Sequence, residues 1–549
     1  MRADGRFSHE RMHDRSEQRH VESLWSERSS AGMVVTAHYL ATAAGVEMLE
    51  QGGNAVDAAI AASLALGVVE SAGSGLGGMG LALVHLAEAG RTFVVDGSAR
   101  APRLATPEEV ARSRRYRGYR AIAVPRLVAA LNHLHRRYGR LGIRQIIEPA
   151  IRFAEDGFPV TTVQYGVARI YSRKLRRSTA APFFLDEAGQ PLRAGTHFRQ
   201  PILAQTLRRI SENGLEDFYT GAIASELVDD VRKNNGFLRA DDLDAALEVR
   251  EAPPLVGRFD DRTVCTIGPP GGGITLLQML QMASFIPDGK LDPDDPEGLV
   301  RVAAMIRRAR RDRARFRLRT GAEEPGEATA LLELDYAERA VRETLDGLRE
   351  VGGSPRMGAT AGGETSHLNT SDAEGNVVSM TQSIERSFGA CEVANGLGFV
   401  HNGYLRAFKI KNRKHPHFLM PGAPARSNAA PTFLLGGGRP VLAIGSTGSE
   451  RMCSGMLEVM LRLRHRCAFA SVLAPRLHCT PDSHVIWEAD RFDPRCRMAL
   501  HCNGFSLEAL DPYSFKMGGL QLWVSDGRSQ CGVSEPRRDG AAAGPSNQR

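Results

Sequence analysis

Apolar residues recur along this chain with two rhythms, one helical and one alternating. Gly32 to His38 reads as a short strand and turn, after which Ala44, Met48 and Leu49 mark a helix closed by Gly52-Gly53. Asn54 is a suitable cap for a second, alanine-rich helix running to about Glu70, whose small side chains permit close packing. Leu81 to His85 and Phe93 to Asp96 predict strands. Ala121 to Pro125 opens a helical region through Leu127, Ala130, Leu131 and Leu134, and another helix carries Ile151, Phe153 and Ala154. Residues 160–250 are predominantly helical in pattern, and Ile267 to Gly273 precedes a helix from Leu276 to Met282. Past residue 364 the alternating rhythm takes over. Val377 to Thr381 is the returning strand of a hairpin turned at Asp372 to Asn376. Pro431 to Leu435 and Val441 to Ile444 form another about Gly436-Gly437-Gly438, and a helix from Met452 to Leu463 follows Gly445 to Ser449.

Composition narrows the class only slightly. The 549 residues suit several domains or one two-subunit assembly, and 42% hydrophobic with 24% charged residues is ordinary for a globular protein. No apolar run approaches the ~18 residues of a membrane span. Met1 to Ser30 is polar and lacks the apolar core of a secretory signal, which predicts a disordered extension on a cytoplasmic protein. The net charge is +7, and Arg307, Arg308, Arg310, Arg311, Arg313, Arg315, Arg317 and Arg319 form the densest basic run. Only Phe316 interleaves it, so a solvated helix partly paired with Asp312 is expected rather than a nucleic-acid face. A preference for anionic small molecules stays open. The eight cysteines include no CxxC pair and no zinc spacing, so reduced thiols are expected, with no metal and no cofactor. Gly73 to Gly80 is glycine-rich, but a strand follows it and no Lys-Ser/Thr pair does, which argues against a nucleotide loop.

The chemistry concentrates at Gly363-Glu364-Thr365-Ser366-His367. A flexible tail holding Gly352, Gly353, Gly358, Gly362 and Gly363 enters a sheet there, a suitable place for a chain to be cut. A Thr hydroxyl is a weak nucleophile until a base activates it, and the free α-amine of a new N-terminal Thr is such a base. The Gly445 to Ser449 turn opens a helix, so its N–H groups face an anion, unless it is an ordinary strand-to-helix turn.

Through Thr365-Ser366-His367, Gly52-Gly53-Asn54-Ala55-Val56-Asp57-Ala58 and Gly75-Leu76-Gly77-Gly78, the sequence resembles the γ-glutamyltranspeptidase (glutathione hydrolase) family of N-terminal-nucleophile hydrolases. The resemblance runs from Gly32 to about Gly544, and Gly532 to Gly540 matches the family's ending. It implies an α+β fold, a four-layer αββα sandwich with added helices from the large subunit. It also implies self-cleavage between Glu364 and Thr365 into a large subunit, 31–364, and a small subunit, 365–549, which stay together as a heterodimer. Thr365 would be nucleophile and base, Ser383 the second hydroxyl at its amine, and Gly448 and Ser449 the oxyanion donors.

The substrate-reading positions depart from the family. Ser98 stands where the family grips a carboxylate with Arg, and Arg100 lies two residues on, along the same strand face. Glu385 replaces the Asn that holds the substrate amine, Ala407 beside Tyr404 replaces an acidic residue, and Ser427-Asn428 replaces a Ser-Ser pair. The basic segment between Phe408 and Ser427, with Lys409, Lys411, Arg413, Lys414, His415 and His417, either recruits an acidic acyl group or is a solvated loop. The expected function is an autoprocessed hydrolase or acyltransferase acting on γ-glutamyl or related amides, with a small-molecule amide or peptide as substrate and no nucleic-acid or membrane partner. The alternatives are a natural-product pathway enzyme cleaving a non-glutamyl amide or a C–C bond, and an unprocessed, non-catalytic paralogue.

Overall fold

Two seven-stranded antiparallel sheets lie face to face in the computed structural model, which describes residues 25–112, 118–315, 330–349 and 365–546. One sheet runs in the order Ser26–Ser29, Gln530–Val533, Leu520–Ser525, Arg439–Ser446, Thr432–Gly436, Arg262–Thr266 and Leu255–Phe259. The other runs Ala541–Ala543, Gly32–Thr36, Ser366–Asp372, Val377–Ser383, Met79–Leu86, Arg91–Gly97 and Glu251–Ala252.

Alternation along single strands explains the layering, because successive side chains leave a strand on opposite faces. Met33, Val35, Leu81 and Leu83 point between the sheets, where they join Phe433, Ala443 and Trp523. Val34, Ala82 and Val84 point the other way, into a core built on the helix Ala55–Val69. In the opposite sheet, Leu442 and Ile444 turn outward to the helices Gly273–Ser284 and Met452–Arg462. The result is helix, sheet, sheet, helix, the α+β sandwich expected. Ala55–Val69 is buried along its whole length, which suits its alanine content, and Asn54 and Asp57 close a reciprocal capping box at its start.

Two expectations need correction. Ser26–Ser29 is an edge strand paired with Gln530–Val533, so disorder does not extend to residue 30; residues 1–24 lie outside the described ones. The basic run is no solvated helix. On Pro296–Arg315, Arg307 and Arg310 are only 5% and 9% exposed, while Arg308 pairs with Asp312 and Glu343. A helix packed on two sides must bury part of any continuous cationic run; Arg317 and Arg319 lie outside the described residues. So do the glycine-rich tail and Glu364, hence the proposed scissile bond. Among the described residues no helix is long and apolar enough to cross a membrane.

Candidate active site

The hairpin Ser366–Asp372 to Val377–Ser383 is central in its sheet, and its register pairs Ser366 with Gln382. One step further along that ladder, Thr365 meets Ser383, and the buried Thr365 hydroxyl donates to the Ser383 Oγ over 3.2 Å. The Glu385 N–H donates to the same Ser383 oxygen at 3.0 Å. The buried Tyr404 hydroxyl engages the side chains of both Ser383 and Ser427, and burial pushes its phenol well above the usual range. Thr365, Ser383, Tyr404 and Ser427 thus form one connected line of hydroxyls.

Behind Thr365 stands a polar network that the sequence patterns did not single out. The Ser366 hydroxyl lies within hydrogen-bond reach of Glu70 and of Ser74 Oγ, and Gln382 donates to Ser74 Oγ at 3.1 Å and to the Ser63 carbonyl at 3.0 Å. Its only sequence signal is the density of small and polar residues where the alanine-rich helix runs into the glycine turn. His367 is buried with both ring nitrogens occupied, Nδ1 by the Thr381 hydroxyl at 2.8 Å and Nε2 by Asn369 Oδ1 at 3.2 Å. Burial lowers its pKa to about 3, so the ring is neutral and braces the sheets.

The turn after Arg439–Ser446 is conformationally unusual. Gly448 has φ +101° and Ser449 φ +59°, two successive residues in the left-handed region. A Cβ on Gly448 would stand 2.7 Å from the Gly518 Cα, so only glycine fits. Neither the Gly448 nor the Ser449 N–H has a hydrogen-bond acceptor among the described residues. Consecutive free N–H groups of this kind form a concave anion site. Thr447 pins the turn to Gly519 by two hydrogen bonds, at 2.8 and 2.7 Å. The adjoining Gly518 carbonyl accepts from Arg476, which also pairs with Glu535 at 2.7 Å in a fully buried group completed by Arg537 and Glu488. Sequence reasoning missed this support, since its members lie up to 61 residues apart (537 − 476).

The remaining predicted residues divide. Ser427 is in the hydroxyl line, and its carbonyl accepts from Arg313 at 2.8 Å. Asn428 follows it with a buried Oδ1 that has no hydrogen-bond partner. Glu385, held at φ +89°, lies between Arg386 (3.0 Å) and Arg406 (3.3 Å); burial raises its pKa, while the two guanidiniums pull the other way. Ser98 is buried with its Oγ unpaired. Arg100 is not drawn into the hydroxyl line: its side chain is 39% exposed, donates to the Gly422 carbonyl at 3.2 Å and lies 4.0 Å from Asp96.

The family model described as Gamma-glutamyltranspeptidase matches residues 41–545. The glutathione hydrolase proenzyme of Bacillus subtilis is 31% identical over 463 residues, 78% of this chain and 77% of that protein. The oxamate amidohydrolase proenzyme of Klebsiella pneumoniae is 30% identical over 537 residues, 94% of this chain and 99% of that protein. Among solved structures, the cephalosporin acylase from Bacillus halodurans matches with a TM-score of 0.86 at 27% identity, covering 95% of this chain and 97% of that one. The resemblance carried by the Thr365 motif and the large-subunit signatures therefore extends over most of the sequence and over the sandwich itself. The chain belongs to the gamma-glutamyltranspeptidase family, whose members are N-terminal-nucleophile hydrolases and transferases.

Proposed function

We propose that this chain is an autoprocessed amidohydrolase or acyltransferase with Thr365 as its nucleophile. The observation that carries the reading is the Thr365–Ser383 hydroxyl pair at the head of a central strand, combined with the two unpaired N–H groups of the Gly448–Ser449 turn. Processing begins with the Thr365 Oγ1 attacking the Glu364 carbonyl. The acyl group moves from N to O, and water hydrolyses the ester, leaving a carboxylate on Glu364 and a free amine on Thr365. In turnover that amine takes the hydroxyl proton as Oγ1 attacks an amide carbonyl. The Gly448 and Ser449 N–H groups receive the oxyanion, each contributing ~3 kcal/mol. The amine product leaves with the proton, and water or a second amine resolves the acyl-enzyme. Ser383 orients the nucleophile throughout.

Family relatives named as glutathione hydrolase proenzyme, oxamate amidohydrolase proenzyme and cephalosporin acylase support amide chemistry after processing. They also span different acyl groups, so γ-glutamyl amides are one candidate substrate class among several. The test is a denaturing gel with intact-mass measurement of wild-type protein and Thr365→Ala. Two chains from wild type, meeting between residues 364 and 365, and one chain from the variant are expected. Active wild-type enzyme that remains a single chain would overturn the reading.

A further inference from the structure

Three guanidiniums converge beside Ser427, at the far end of the hydroxyl line from Thr365. Arg313, on Pro296–Arg315, donates to the Ser427 carbonyl at 2.8 Å, to Thr275 Oγ1 at 3.2 Å and to the Gly271 carbonyl at 3.4 Å. Arg310, one turn earlier, pairs at 2.6 Å with Glu450, the residue following Ser449 in the oxyanion turn. Arg426 immediately precedes Ser427. We propose that Arg310, Arg313 and Arg426 form a carboxylate-binding subsite, and that the acyl group delivered to Thr365 carries a carboxylate and no ammonium, as in a glutaryl or succinyl amide.

The charge balance favours a missing anion. Among the described residues Glu450 is the only carboxylate these three guanidiniums share, so the cluster retains about two positive charges. The nearby His417 adds none, because burial and the surrounding cations lower its pKa to about 3. Arg426 makes no hydrogen bond or ion pair among the described residues, and its Nε is buried without a partner; the Nε of Arg310 is likewise buried and unpaired. A buried, unpaired guanidinium N–H is costly unless a ligand satisfies it.

Strand register sets Ser98 against Arg426. Arg100 pairs with Pro424 on the adjoining antiparallel segment, and the hydrogen bonds Ala101 to Ala423 and Ala425 to Ala99 keep one register. Two residues further along, Ser98 falls opposite Arg426. Its short side chain puts a buried and unpaired Oγ on the face that Arg426 shares. Tyr404 connects Ser427 back to Ser383 and Thr365, so a carboxylate held here is within a short acyl chain of the nucleophile. The absence of an ammonium follows from Glu385. Its carboxylate already pairs with Arg386 and Arg406, so it has no net charge to offer a substrate amine.

This inference rests on Thr365 being the acylated residue, and two readouts separate the claims. Calorimetric titration of the purified processed protein with glutarate and with butyrate reads the subsite alone; hydrolysis of glutaryl-p-nitroanilide and γ-glutamyl-p-nitroanilide reads the chemistry. Glutarate should bind at least ~10-fold more tightly than butyrate, and Arg426→Leu should lose that advantage, since charge-assisted pairing supplies it. Arg426→Lys should restore part of it, and Glu450→Gln should bind glutarate more tightly than wild type, because the competing carboxylate is gone. Melting curves verify that each variant is folded. Glutaryl anilide should be the faster substrate. Equal binding of glutarate and butyrate, or folded Arg426→Leu and Glu450→Gln proteins that bind glutarate as wild type does, would overturn the subsite. Tight glutarate binding with neither anilide cleaved would leave the subsite standing and overturn the Thr365 mechanism.

Discussion

Gly445 of one sheet lies directly against the imidazole of His367 in the other, so closely that a Cβ at 445 would stand 2.0 Å from the ring's Cε1. His367 is two residues beyond Thr365 and is held by Thr381 and Asn369, so it has no room to yield. This contact sets the spacing of the sandwich beside the nucleophile and brings the oxyanion turn, three residues past Gly445, to the same end. Gly445→Ala should therefore cost ~3 kcal/mol of stability by overpacking, and processing should slow with it. Chemical denaturation and the rate at which two chains appear measure both effects; a variant as stable and as quickly processed as wild type would refute the claim.

The same histidine predicts a pH dependence. Burial lowers its pKa in the folded chain to about 3, against 6.5 for an ordinary imidazole. Below pH ~6.5 the unfolded chain takes up a proton that the folded one refuses. The stability contributed by the neutral ring is then present above pH ~6.5 and lost as pH falls toward 3, by ~1.4 kcal/mol per pH unit. His367→Gln should be less stable than wild type at pH 7, with the gap narrowing by roughly 2–3 kcal/mol at pH 4.5. Urea melts at the two pH values give the difference, and a gap independent of pH would rule out the titration.

Ser449 combines a left-handed backbone with a proposed catalytic N–H. A non-glycine residue at φ +59° pays ~1 kcal/mol for that conformation. Ser449→Gly keeps the N–H and relieves the strain, so stability should rise by up to ~1 kcal/mol with kcat retained. Ser449→Pro removes the N–H and cannot adopt this φ, so kcat of the processed enzyme should fall ~10²–10³-fold. Equal rates for the two variants would remove Ser449 from the oxyanion site.

The legible parts of the fold are those written in neighbouring residues. Asn54 announces its helix because a cap acts across three positions, and Asp57 completes it from within the same turn. Asp372 to Asn376 announces a hairpin because the turn chemistry and the alternation on either side agree. The arginine run was opaque for the converse reason. Arg307, Arg308, Arg310, Arg311 and Arg313 spread around most of the helix beside its Met305 and Ala309 stripe, and only the packing of Pro296–Arg315 against its neighbours decides that Arg307 and Arg310 turn inward while Arg311 is exposed. Ser26–Ser29 carries no apolar alternation, and it is a strand because Gln530–Val533 offers an open edge.

Sequence alone determined the placement of Thr365 at the mouth of a hairpin, the returning strand from Val377 to Thr381 and the glycine turn of Gly445 to Ser449. Each depends on local backbone preference, which residues a few positions apart express directly. Only the tertiary structure decided that Arg386 and Arg406 neutralise Glu385, that Arg310, Arg313 and Arg426 meet beside Ser427, and that Arg476 and Glu535 underlie the oxyanion turn. The partner of a charged side chain is set by where distant stretches of chain pass one another, and that path is a property of the whole packed sandwich.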